Sequence, residues 1–192
     1  MSHFFAFLSR MKLIQRWGLM RNTHPENIQE HSLQVAMIAH SLAIIKNMFF
    51  EGKLNPERVM ALGVYHEVSE VITGDLATPI KYFNPEIKKA FGEIEEVAKK
   101  RLFKMLPEQL KNEYKRYLFI NKEDEDNWKV VKAADKISAY LKCVEEIRVG
   151  NEEFRSAEKA LKADIDKFAL PEVDYFMKEF VPSFSLTLDE LD

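Results

Sequence analysis

The sequence predicts an all-α protein of one domain, and three observations carry that prediction. Apolar residues recur at helical spacing along nearly the whole chain, no stretch alternates as a strand would, and Asn55-Pro56 and Asn84-Pro85 each read as a helix start. With 192 residues, 46% of them hydrophobic and 31% charged, the chain is long enough for one sizeable core. A formal net charge of −3 gives no reason to expect a nucleic-acid polymer or an anionic membrane as partner. The lone Cys143 excludes an internal disulfide framework and suits a reducing compartment. No apolar run looks long enough to span a bilayer, and MSHFFAFLSRMK has no basic residues ahead of its apolar start and no small-residue cleavage site. A cytoplasmic protein spanning 1–192 as a single domain is the expectation.

Residues 2–15 read as a helix with Phe4, Phe7, Leu8, Met11 and Ile14 on one stripe. Arg10, Lys12, Arg16 and Arg21 make this end basic, since no acidic residue precedes Glu26. Such a patch is either a solvated face or a seat for an anion. At Arg16-Trp17-Gly18 the helix stops; a guanidinium there can fork onto a phosphate, and an indole can wall a sugar or base.

From Ile28 to about Phe50 a long helix carries Ile28, His31, Val35, Ile38, Leu42 and Ile45 on one stripe, with His31 its one polar member. His40, among Leu33, Met37 and Ile44, reads as structural. The next helix runs from Asn55-Pro56 through His66 and breaks at Thr73-Gly74. His66 and Glu70 share its face with Val59 and Leu62, and Glu67 sits a quarter turn aside. Taken alone, that stretch fits either a site or a hydrogen-bonded polar core. A helix from Asn84-Pro85 is expected to bury Ile87, Phe91, Ile94, Val97, Ala98 and Leu102, and a shorter one is expected from Leu106 to Ile120. Glu123 to Asp126 read as acidic charge complementing a helix N-terminus rather than as metal ligands. On the helix from Trp128 to Gly150, Asp135 lies on the inner face with Val131, Ala134, Ser138 and Leu141. Asn151 to Phe168 is amphipathic, and Val173 to Val181 is expected to turn Tyr175, Phe176 and Phe180 inward.

Lone imidazoles and carboxylates thus interrupt the apolar stripes of three helices: His31, then His66 with Glu67, then Asp135. Each is costly to bury alone, whereas together they make a box for Mn, Fe, Co, Ni or Zn with room for water and an oxyanion.

These residues also carry a resemblance. A histidine, a His-acid pair and a later aspartate on successive helices resemble the HD-domain phosphohydrolases. SHFFAFLSRMKLIQRWGLMRN, ENIQEHSLQVAMIAHSLA, YHEVSEVITGDLATPIKYFN, KAADKISAYLKCVEE and DYFMKEFVPSFSLTLDE resemble the YfbR-type bacterial 5′-deoxynucleotidases along nearly the full length. The resemblance implies an HD-type helical bundle, a divalent metal such as Co or Mn, a homodimer, and hydrolysis of deoxyribonucleoside 5′-monophosphates. It makes His31, His66, Glu67 and Asp135 the metal shell, with His31, Glu67 and Asp135 also facing substrate. Glu70 becomes the carboxylate that handles the proton of the attacking water. Arg16 orients the phosphate, Trp17 packs near the sugar and helps reject a 2′-hydroxyl, and Asp75, Leu76, Ala77 and Thr78 line the pocket. One position departs from the pattern: His66-Glu67 stands where the family has His-Asp, a carboxylate with a reach longer by about 1.5 Å. Two other classes fit the residues: a nucleotide sensor with hydrolysis weakened by Glu67, and a helical interaction module with a self-paired polar core. Within enzymes, guanosine pyrophosphate hydrolysis is the alternative.

Overall fold

Asn27, Asn55 and Asn84 set the register of the three helices that matter most for the site. In the computed structural model, which describes residues 1–81 and 83–191, each asparagine accepts from backbone amides of the first helical turn. At Asn27 the Glu30 side chain returns the bond and closes a capping box, and at Asn55 and Asn84 the following proline is already in helical conformation. These caps start α2 (Ile28–Phe49), α3 (Pro56–Tyr65) and α6 (Pro85–Lys104). The remaining helices are α1 (Phe4–Leu8), the short α4 (Glu70–Thr73) and α5 (Thr78–Lys81), α7 (Glu108–Leu118), α8 (Glu125–Arg148), α9 (Arg155–Asp166) and α10 (Pro171–Glu179). Among the described residues no strand forms; one isolated antiparallel bridge joins Gln15 to Asn27.

Helix α2 is the axis of the molecule and packs against α3, α8 and α10. The main core gathers Val35, Leu42, Leu62, Val131, Ala134, Ile137, Leu141, Ile165 and Phe176 from these helices and α9. A second core, built from Phe4, Met11, Ile28, Val68, Val71, Leu102, Leu106 and Leu118, lies between the N-terminal segment, α4, α6 and α7. Fully burying each such leucine or phenylalanine contributes roughly 1.5–3 kcal/mol. Ile28 belongs to the second core and Val35 to the first, so His31, one turn from each, stands where the two cores meet. The α2–α3 contact is close because Gly63 lies on the backbone of Ala36, where an added Cβ would come within 2.8 Å of the Ala36 Cα. That approach brings His31 and His66 ring to ring at 5.4 Å.

Several expectations are corrected. The N-terminal helix is only α1 followed by a 3-10 turn over Ser9–Leu13, although Phe4 and Met11 are buried as expected. Helix α3 stops at Tyr65, and residues 66–69 turn through i→i+3 bonds before α4 begins. Ile94, Val97 and Phe180 are exposed, and so are Leu33, Met37 and Ile44 around His40, so His40 marks a surface face. Helix α2, at 22 residues, is long and apolar enough to cross a membrane, against the reading from apolar runs; its packing against three helices accounts for the apolar residues on its buried side. Asp124 does more than complement a helix dipole: it is buried against the Arg58 guanidinium at 2.6 Å.

Candidate active site

Four side chains from α2, the α3–α4 turn and α8 converge where the cores meet. Oxygen or nitrogen atoms of His31, His66, Glu67 and Asp135 all lie within 4.8 Å of one another. The hydrogen bonds around the two imidazoles decide which nitrogen faces this point. His66 Nδ1 donates to the Gly63 carbonyl at 2.7 Å, a bond made possible because the helix ends there. Its Nε2 is buried and has no hydrogen-bond partner. The Ser138 hydroxyl donates to Gln34 Oε1 at 2.6 Å, so its oxygen is free to accept from His31 Nδ1 at 3.0 Å. His31 Nε2 is hydrogen-bonded to Asp135 Oδ1, also at 3.0 Å, and is the nitrogen that faces the cluster. The unpartnered His66 Nε2 lies 3.7 Å from Glu67 Oε1, and a lone pair facing a carboxylate is unfavourable unless a cation or proton stands between them. Nδ1 tied to a protein oxygen with Nε2 facing the cluster is the arrangement that metal-binding histidines adopt. The residues present thus fit a divalent ion.

Charge in the cluster is unevenly held. Burial pushes the Asp135 carboxyl up, but the bond from His31 and the neighbouring His31, His66 and Arg16 charges outweigh it and hold it well below the usual range. Glu67 behaves likewise: burial raises it, and His31, His66 and Arg16 together bring it below its ordinary value. Burial lowers His66 below its ordinary value, against the opposing pull of Glu67 and Asp135. Glu70 goes the other way. Burial first, then the negative charges of Glu67 and Asp75, push it up to about 9, and its Oε2 is buried without a partner.

A cavity of about 410 Å³ opens beside the cluster. Arg16, Trp17, Glu67, Glu70, Asp75, Leu76, Ala77, Thr78 and Asp135 line it, and Lys81, Lys136 and the α9 residues Ser156, Ala157, Ala160 and Leu161 extend its walls. Every residue singled out in the sequence as a pocket residue is there except His31. That histidine is fully buried and is not among the residues that line the cavity. Asp135, expected in the core, sits at the cavity rim with its side chain 32% exposed.

Arg16 and Trp17 are held by neighbours that sequence reasoning passed over. Arg16 Nε and Trp17 Nε1 both donate to Glu26 Oε2, at 3.1 and 2.9 Å. Arg16 Nη1 bridges both Glu67 oxygens at 3.2 Å, and burial, which lowers its value, is outweighed by Glu67, Glu26, Asp135 and Asp75. Trp17 has φ 60°, a left-handed backbone, and its ring packs on Phe154 at 5.3 Å. Glu146 accepts from Thr23 and His24 amides and pairs with Lys142, which itself donates to the His24 carbonyl. A buried carboxylate on α8 thereby clamps the loop that carries Trp17. The signal for Glu26 was present in the chain: it is the first acidic residue after an exclusively basic N-terminal run.

Comparison with known proteins adds the family context. A family model described as 5′-deoxynucleotidase YfbR-like matches residues 3–184. A 5′-deoxynucleotidase of Vibrio cholerae serotype O1 is 56% identical over 99% of this chain and 98% of its own length. The crystal structure of an HD-domain phosphohydrolase from Listeria innocua is similar with a TM-score of 0.82 at 25% identity, covering 95% of this chain and 88% of that one. The HD phosphohydrolase of cyanophage S-2L, bound to dA and one catalytic Zn2+ ion, shares the fold with a TM-score of 0.67 at 18% identity, covering 93% and 96% of the two chains.

Proposed function

The chain belongs to the YfbR-like 5′-deoxynucleotidase family, and from that premise we propose that it hydrolyses deoxyribonucleoside 5′-monophosphates to deoxynucleoside and phosphate. One observation carries the reading: two imidazole nitrogens, one of them unpartnered, and two carboxylates converge on one point, beside a guanidinium, at the wall of a cavity. His31, His66, Glu67 and Asp135 hold a divalent ion, with Co2+ or Mn2+ as the metals the family resemblance favours. When bound, such an ion would lower the pKa of water toward neutrality, neutralise phosphate charge and favour the ionised form of the neighbouring Glu70.

The chain's own residues do the rest. Arg16, released from Glu67 by the arriving phosphate, forks onto its oxygens and balances charge as the P–O bond breaks. Glu70, buried and unpartnered at Oε2, takes the proton of the attacking water, and the same proton balances the 5′-oxygen that leaves as the deoxynucleoside hydroxyl. Trp17 walls the sugar, and Asp75 to Thr78 close the other side of the pocket. Glu67 ligates in the place of the family's aspartate.

Residues 1–192 act as one catalytic domain, and we place it in the cytoplasm, where the buried free thiol of Cys143 stays reduced. A homodimer is part of the reading. Leu33, Met37, Ile44 and Met48 of α2 and Met60 and Val64 of α3 leave an exposed apolar face beside the Ala36–Gly63 contact, which supports it. Sedimentation of the purified protein decides between dimer and monomer.

The deciding experiment is phosphate release from dAMP, dGMP, dCMP and dTMP, with AMP as control, across a titration of Co2+, Mn2+ and Zn2+. Metal-dependent turnover of the deoxynucleotides supports the enzyme. Tight nucleotide binding with no turnover at any metal concentration would favour the sensor.

A further inference from the structure

We infer that Glu26 is the positioning residue that locks Arg16 and Trp17 into one frame and so sets the discrimination between deoxyribo- and ribonucleotides. It rests on the reading of Trp17 as the wall of the sugar pocket.

A single oxygen, Glu26 Oε2, accepts from Arg16 Nε and from Trp17 Nε1 at 3.1 and 2.9 Å. Phosphate clamp and sugar wall therefore share one anchor and cannot move independently. The backbone repeats the tie: Arg16 N donates to the Glu26 carbonyl at 2.9 Å, Gln15 bridges to Asn27, and Ile28 N donates to the Ile14 carbonyl at 3.0 Å. Residues 17–25 thus leave and return at one point, with Glu26 at the closure.

The anchor is needed because Trp17 is not relaxed. Its φ of 60° is unfavourable for a side chain of that size, at a cost on the order of 1–3 kcal/mol, and such a conformation persists only where surroundings hold it. Phe154 supports one face of the indole, but ring packing alone leaves it free to slide. The indole N–H bond to Glu26 fixes its rotation, and with it the distance between the ring and the C2′ side of a bound sugar. Only 12% of the Glu26 side chain is exposed, so water does not readily replace that bond. Glu26 neither lines the cavity nor belongs to the metal-binding four, although its other oxygen, Oε1, lies 3.8 Å from His31 Nδ1.

The test compares kcat and KM for dAMP and AMP in wild type, Glu26→Ala, Glu26→Gln, Glu26→Asp and Trp17→Ala. Glutamine keeps a carbonyl oxygen at the right reach, whereas aspartate falls short by about 1.5 Å. The dAMP-to-AMP ratio of kcat/KM should drop about tenfold or more in Glu26→Ala and Glu26→Asp, chiefly through KM, and stay within about threefold in Glu26→Gln. Tryptophan fluorescence supplies a readout independent of activity. In a Trp128→Phe background only Trp17 emits, and Glu26→Ala should make it markedly easier to quench with acrylamide. An unchanged ratio and unchanged quenching in Glu26→Ala, alongside a collapsed ratio in Trp17→Ala, overturns the inference and leaves the sugar-wall reading intact. An unchanged ratio in Trp17→Ala overturns that reading and this inference with it. Glu26→Asp keeps the charge and serves if the alanine variant does not fold.

Discussion

Arg16 Nη1 lies 3.2 Å from both carboxylate oxygens of Glu67, so the proposed phosphate clamp and a proposed metal ligand are joined as one ion pair. Arg16 is thereby the internal counter-cation of the cluster. Arg16→Ala should lower turnover of every nucleotide alike, by roughly ten- to a hundredfold, as expected for one charge-assisted contact. Metal affinity measured calorimetrically without nucleotide should rise, because a competing positive charge is gone. Weaker metal binding in that variant would mean that Arg16 organises the ligands rather than competing for them.

Glu67→Asp shortens the arm by about 1.5 Å, which takes the carboxylate out of reach of Arg16 while leaving it beside the two histidines. The freed guanidinium should lower KM for dAMP, and turnover at limiting metal should rise. A fall at every metal concentration would show that the longer arm is what the ion requires here.

Alanine at His31, His66 or Asp135 should remove metal and activity together. Each leaves the other three groups with uncompensated lone pairs or charge at a buried point. Bound metal by mass spectrometry, read beside phosphate release, checks this; an Asp135→Ala protein with full metal content and full activity would end the shared-ion account.

The Glu70 proton should appear in stability. Burial, with Glu67 and Asp75, lifts this carboxyl from its ordinary 4.5 to about 9, so the fold keeps a proton that the unfolded chain releases. The sign follows from linkage: the stability tied to this proton is complete below about pH 4.5 and is lost as pH rises toward 9. In metal-free protein the melting temperature should fall between pH 6 and 9, and Glu70→Gln should flatten that fall. Parallel melting curves for the two proteins across this range would contradict the buried-proton assignment.

Gly63→Ala tests the packing that brings the histidines together. Its Cβ would press on the Ala36 backbone at 2.8 Å, and backbone cannot rotate away as a side chain can. A loss of about 1–3 kcal/mol in denaturant unfolding is expected, with weakened metal binding, since α2 and α3 must part to make room.

What the sequence determined by itself was the long helices and their main apolar faces. The Asn-Pro starts and apolar stripes are local, and they put His31, His66, Glu70 and Asp135 into view because a lone polar group on an apolar stripe is conspicuous, with Glu67 beside His66 and Arg16 in the basic N-terminal end. It did not show where α3 ends, because the turn at residues 66–69 is set by packing of Val68 and Val71 into the second core rather than by a breaker residue. Nor did it show which stripes stay exposed: Ile94, Val97 and the Leu33–Ile44 face have helical spacing but meet no neighbour in the monomer. The tertiary structure alone decided which nitrogen each imidazole presents, since the partners Ser138 and Gly63 arrive from another helix and from a backbone carbonyl. It alone paired Arg16 with Glu67 across 51 residues and hung Arg16 and Trp17 on one oxygen of Glu26. The physical reason is common to these cases. Helix formation depends on neighbours a turn apart, whereas a charge cluster depends on which distant groups the packed cores press into the same dry space.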